Sequence, residues 1–141
     1  MQLAHAYGAS PTIEAEYIEG EINLDGVLDE KVWSRAAKEG SDMLQYEPRQ
    51  RVPMSQKTEF MVAYDEDNVY FGIIAYDTEP AKIVASVMER DESPFYDDSL
   101  FLAIDTMNDS RNGYVLWTNP NGIKYDASVT NNSSLNSQWD G

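Results

Sequence analysis

Residues 97 to 126, "DDSLFLAIDTMNDSRNGYVLWTNPNGIKYD", set carboxylates, amides and aromatic rings close together around short apolar runs. The carboxylates are the first candidates for chemistry. Asp98 and Asp105 are seven positions apart, roughly 23 Å along an extended strand, so they cannot share an ion. Two separate cation sites are conceivable: Asp97 and Asp98 with Asp91, Glu92 or Asp77, and Asp105 with Asn108 and Asp109. Calcium, which takes six to eight oxygens, is the ion such acidic loops would hold. The competing reading is that these Asp and Asn side chains cap turns, with Arg111 pairing a neighbouring carboxylate.

The aromatic residues are the second set. Trp117 precedes the Asn119-Pro120-Asn121-Gly122 turn, and an indole stacks well on the apolar face of a sugar while amides bind its hydroxyls. Trp117 packed inside a sheet sandwich is the alternative. Tyr125 alternates with Lys124, so the two face opposite sides of a strand, and Tyr125 is placed with the aromatic group. Trp33 lies on an apolar helical face and reads as core. Trp139 is open to either use.

Other chemistries are ruled out more firmly. There is no cysteine, so no thiolate nucleophile, disulfide or zinc-thiolate site exists. The one histidine, His5, lies in a polar lead and cannot complete a Ser-His-Asp arrangement. With so many acids, no pair is singled out for glycosidic hydrolysis. Met61, Met88 and Met107 lack the Cys-x-x-Cys-His motif that would bring haem. Lys and Arg total 10 against 25 Asp and Glu, for a formal net charge of -15, which repels nucleic acid and anionic membrane surfaces. No run approaches the roughly 20 apolar residues of a membrane span. No catalysis is expected of this segment.

The elements that must position these residues are mostly strands. Residues 1 to 12 read as a flexible lead, and 13 to 141 as one domain. Ile22 and Leu24 flank Asn23 in a strand before an Asp25-Gly26 turn. Asp29 is placed to cap a helix through "EKVWSRAAK", with Val32 and Ala36, and Trp33 and Ala37, on its apolar face and Gly40 as its stop. "MLQYEPRQRVPMSQ" reads as a loop with an extended section. "KTEFMVAY" alternates, and "NVYFGIIAYD" is apolar on both faces, with the polar turn 65 to 67 between them. "IVASVMERD", "SLFLAID", "GYVLWT" and "IKYDASV" are four further strands, and "TNNSSLNSQ" a mobile loop. The fold class is all-β: an antiparallel β-sandwich with one short N-terminal helix.

Four stretches in this order, "INLDGVLDEKVW", "VAYDEDNVYFGIIAYD", "DDSLFLAIDTMNDSRNGYVLWTNPNGIKYD" and "QWDG", resemble the family 9 carbohydrate-binding module-like domain, of the kind at the N-terminus of large exported bacterial proteins. The resemblance implies a β-sandwich that continues past residue 141, and an exported location in the periplasm, outer membrane or extracellular space. It also implies a terminal sugar clamped between aromatic rings, one of them at Phe95 or Tyr96. Phe101 stands where the sugar-binding members carry a carboxylate.

The expected ligand is therefore a neutral glycan on Phe95, Tyr96, Trp117, Asn119, Asn121, Tyr125 and Trp139, bound without catalysis as part of polysaccharide binding or breakdown. The alternative function is a structural or interaction domain, calcium-stabilised or not, that docks on its own C-terminal region and binds no sugar.

Overall fold

The computed structural model describes residues 12–40, 43–45 and 50–141. All of the expected flexible lead except Thr12 lies outside them. The described residues form seven strands in two sheets, with a five-residue helix and a single 3-10 turn, so the all-β class read from the sequence is present. No helix among them is long and apolar enough to cross a membrane. The chain divides into two compact units, Met1–Thr78 and Glu79–Gly141.

In the first unit, β1 (Glu16–Tyr17), β2 (Thr58–Tyr64) and β3 (Val69–Ala75) lie side by side in that order. The β2–β3 hairpin is antiparallel and closes on the polar turn expected at 65 to 67. There Asp65 Oδ1 accepts the backbone N–H of Asp67 at 2.8 Å and of Asn68 at 2.7 Å, while Oδ2 takes the Tyr70 hydroxyl at 2.7 Å. Alternation along β2 buries Met61 and Ala63, as the period-2 pattern predicts.

Two expectations fail here. The first strand is not Ile22–Leu24 but β1, and it runs parallel to β2, with Glu16 opposite Ala63 and Tyr17 opposite Tyr64. The forty residues between them give the chain room for the crossover that a parallel pair requires. Leu24 is instead 85% exposed. The Asp25-Gly26 turn does form, with Asp25 Oδ1 accepting the Val27 N–H at 2.8 Å and Gly26 at a φ of 81°.

The helix, α1, spans only Lys31–Arg35. Asp29 does not cap it; Glu30 holds its entry, accepting the Asn23 N–H and the Trp33 indole N–H, each at 2.8 Å. The helix stops short of Gly40 because the chain is drawn into pairing with β2: Glu39 and Phe60 exchange both backbone hydrogen bonds, at 3.0 and 2.8 Å. Val32, Trp33 and Ala36 are buried with Ile18, Met61 and Ala63 as the core of this unit, while Ala37 is exposed. Trp33 is thus core, as its spacing predicts.

The second unit is a four-stranded antiparallel sheet in the order β4 (Leu100–Ile104), β5 (Gly113–Thr118), β6 (Tyr125–Thr130) and β7 (Ser134–Asn136). Its register sets Phe101, Trp117 and Tyr125 in one cross-strand row, with Ala103, Val115 and Ala127 in the next row on the same face. The expected strand at "IVASVMERD" does not form, and residues 83–88 join no sheet. The expected mobile loop "TNNSSLNSQ" is a hairpin instead. Residues 131–133 link the paired Thr130 and Ser134; the Ser133 N–H donates to the Thr130 carbonyl at 3.3 Å, and Asn131 and Asn132 between them take left-handed φ of 53° and 58°, which Asn adopts at little cost.

Gly72 gives a direct test of the first core. A Cβ there would come within 2.7 Å of the Trp33 ring, with no room for the indole to rise. Gly72→Ala is expected to destabilise the fold by about 1–3 kcal/mol, read as a lower urea midpoint by circular dichroism, whereas the exposed Gly122 does not meet such a neighbour.

Candidate functional site

The most exposed aromatic pair sits on a turn with buried stems. Asp97 N–H donates to the Pro94 carbonyl at 3.0 Å, closing a four-residue turn with Phe95 and Tyr96 at its tip. Pro94 is fully buried and Asp97 is 9% exposed, yet Phe95 and Tyr96 are 69% and 89% exposed. The two rings meet edge to face at 5.2 Å.

Phe95 also reaches Trp117, at 6.4 Å and 81°. Phe101 and Tyr125, on the strands flanking Trp117, stand at 85° and 80° to its plane, with centroids 5.3 and 5.8 Å away. Three rings thus stand nearly perpendicular around one half-buried indole. The Trp117 Nε1–H is itself buried, without a hydrogen-bond partner among the described residues.

Polar side chains hold this aromatic cluster in place. Asp97 Oδ1 accepts the Ser86 N–H at 2.9 Å and the Ser86 hydroxyl at 2.6 Å, and Oδ2 accepts the Val87 N–H at 3.0 Å and the Asn119 amide at 2.8 Å. Asn119 is buried; its second amide hydrogen goes to the Val87 carbonyl at 2.9 Å, and its Oδ1 accepts the Asn121 N–H at 2.9 Å. Asn121 Nδ2 donates to the carbonyls of Ala85 and Val87, both at 3.0 Å. Asp98 takes the Val84 N–H on Oδ2 at 2.7 Å and donates its own N–H to the Val84 carbonyl at 2.8 Å. Residues 84–87 are therefore anchored mostly by side chains, where a sheet would use a ladder of backbone bonds.

This arrangement places the expected site residues in two groups. Phe95, Tyr96, Trp117 and Tyr125 come together. Asn119 and Asn121 lie beside them with their amide hydrogens committed to protein acceptors. Trp139 stacks on Tyr114 at 4.5 Å, and Tyr114 alternates with Trp117 along β5, so Trp139 belongs to the opposite face of the sheet.

On that opposite face Arg90 donates to the buried Asp126 at 2.8 Å and also to Asp140, while the Gly141 N–H donates to Asp126 at 2.9 Å. Neither Phe101 as part of the ring cluster nor Arg90 with Asp126 was anticipated from the sequence. The period-2 register that places Phe101 beside Trp117 was the available signal for the first.

At both acidic clusters the carboxylates accept hydrogen bonds from protein donors. Asp97 and Asp98 are approached by N–H and O–H groups whose positive ends point at the carboxylates. Asp105 accepts the N–H groups of Met107, Asp109 and Ser110 at 3.1, 3.3 and 2.7 Å. Asp109 accepts those of Arg111 and Asn112 at 2.7 and 2.8 Å, and the Arg111 guanidinium reaches Asn131 at 2.8 Å. Among the described residues no three His, Cys, Asp or Glu side chains converge on a point that could hold a metal.

The same donors hold the Asp97 carboxyl far below the usual carboxylate range, the Ser86 hydroxyl first and the Val87 and Ser86 N–H groups next. A carboxylate whose pKa is depressed by folding stabilises the native state above its unfolded value, about 3.9. That contribution fades as pH falls from there toward the lower folded value. In Asp97→Asn the stability deficit relative to the native chain is therefore expected to be full above about pH 4 and to shrink in more acid solution. Denaturation midpoints measured at several pH values check this, and a deficit independent of pH would show that ionisation of Asp97 is not what holds the segment. Searches of protein-family models, curated proteins and solved structures return no match to this chain.

Proposed function

We propose that the second unit is a non-catalytic carbohydrate-binding module of an exported bacterial protein, with the Phe95–Tyr96 turn and the adjoining Phe101 and Trp117 rings as its binding surface. The observation that carries this reading is the turn itself. Left to the hydrophobic effect, two adjacent aromatic rings would be buried. Here Pro94 and Asp97 are buried and anchored on either side, and the rings between them are left facing solvent. A ring pair held out of the core by its own stems is what stacking on a sugar requires.

The family resemblance in the sequence supports the same reading, since its clamp ring falls at Phe95 or Tyr96. The structure alters how the remainder of the site is read. Polar recognition does not come from the amides of Asn119 and Asn121, which brace the surface from behind, and Phe101 adds a third ring, 54% exposed, where a carboxylate was implied. The ligand is held chiefly by stacking.

Phe95→Ala and Tyr96→Ala are expected each to weaken glycan binding by about tenfold, measured by isothermal titration against the oligosaccharides that score on a glycan array. Both rings lie largely in solvent, so the thermal midpoint is expected to stay in place. Unchanged affinity in both variants, or an array on which the native chain binds nothing, would remove this reading.

A further inference from the structure

The ring cluster is short of directional polar partners, and this narrows what it can recognise. The Asn119 amide hydrogens go to Val87 and Asp97, those of Asn121 go to Ala85 and Val87, and each Asp97 oxygen already accepts two bonds. A neutral sugar depends on such groups to orient its hydroxyls. What the surface offers freely is the faces of its rings and a negative field.

The rings converge. Phe95, Phe101 and Tyr125 stand at 80–85° to Trp117 with centroids 5.3–6.4 Å away, so electron-rich faces meet electron-poor edges around one indole. The field around them is one-sided: this unit has ten Asp and Glu against Lys82, Arg90, Arg111 and Lys124. Lys82 is paired with Glu79, Arg90 with Asp126 and Asp140, and Arg111 with Asn131. Directly after Tyr96 come two carboxylates, Asp97 and Asp98, whose partners are uncharged donors. Being neutral, those donors leave the negative charge uncancelled.

Aromatic faces beside an unneutralised carboxylate bind a cation, and most strongly one with a diffuse, weakly hydrated charge or an apolar body. A de-N-acetylated amino sugar has both: a pyranose face for stacking and a protonated amine. We propose that the Phe95–Tyr96–Phe101–Trp117 surface selects glycans carrying a free, protonated amine over their neutral counterparts, with the exposed Asp98, two positions after Tyr96, as the carboxylate that pairs with the amine. This rests on the carbohydrate-binding reading above and gives its ligand class.

The test is titration calorimetry of the 141-residue chain with a β-1,4-linked glucosamine oligomer, the N-acetylated oligomer of equal length, and an unsubstituted glucose oligomer. Below the amine pKa the glucosamine oligomer is expected to bind about tenfold more tightly than either neutral one, with the advantage falling as salt is raised. Phe95→Ala and Phe101→Ala are expected to erase the preference, and Asp98→Asn to reduce it.

Equal affinity for all three oligomers overturns the charge preference and leaves the carbohydrate-binding reading standing. A preference that survives both Phe variants overturns it too, because the amine is then attracted only by the overall acidity of the chain. Failure of all three oligomers to bind overturns the preference, and a silent glycan array removes the carbohydrate-binding reading with it. Circular dichroism melts of each variant keep a folding defect from counting as lost binding.

Discussion

The hydrogen bonds received by the Asp97 carboxylate tie together parts of the second unit that no strand pairing joins. One side chain collects N–H groups from Ser86 and Val87, the Ser86 hydroxyl, and the amide of Asn119, so that the segment before the aromatic turn, the turn itself and the turn after β5 meet at a single buried group. A buried carboxylate is costly unless its oxygens are fully bonded, and here they are. Asn119 and Asn121 extend the same device by taking the carbonyls of Ala85 and Val87. The apolar contribution on that face is modest, with Val115 and Ala127 buried in the row beside the large rings. Polar bonding therefore sets the position of the rings, and hydrophobic packing sets that of the strands.

The first unit follows the opposite logic. Its core is a small apolar cluster around Trp33, seated flat against Gly72, and its polar bonds trim the turns. Asp65 closes the β2–β3 turn and Glu30 closes the loop ahead of α1, each by receiving backbone N–H groups. Acidic side chains do much of the turn-making in both units, which accounts for many of them without invoking an ion. The rest of the charge stays on the surface.

What could be read in advance divides along the same line. The β2–β3 hairpin and strands β4, β5 and β6 were legible because alternation and turn residues are local properties, recorded within a few positions of each other. The burial of Trp33 followed from helical spacing. Residues 83–88 misled because their alternation resembles a strand, while their partners are side chains from residues 97, 98, 119 and 121, a long-range choice that local pattern does not contain. The short α1 misled for the same reason, since its end is set by Glu39 pairing with Phe60. The turn at Asn119 and Asn121 is legible, but their amide hydrogens point inward to protein acceptors, a long-range choice. Trp139 was grouped with the other aromatics on composition, and parity along β5 sets it on the other face.

An extended segment gripped through its peptide groups is recognised almost blindly with respect to its own side chains. The Val84 and Met88 side chains are exposed, and apart from the Ser86 hydroxyl the bonds that anchor residues 84–87 are made to main chain. Apart from Ser86, substitutions can therefore accumulate along 83–88 while the path of the chain is retained. The burden of inheritance falls on Asp97, Asn119 and Asn121, three residues far away in the sequence that hold the chain in place.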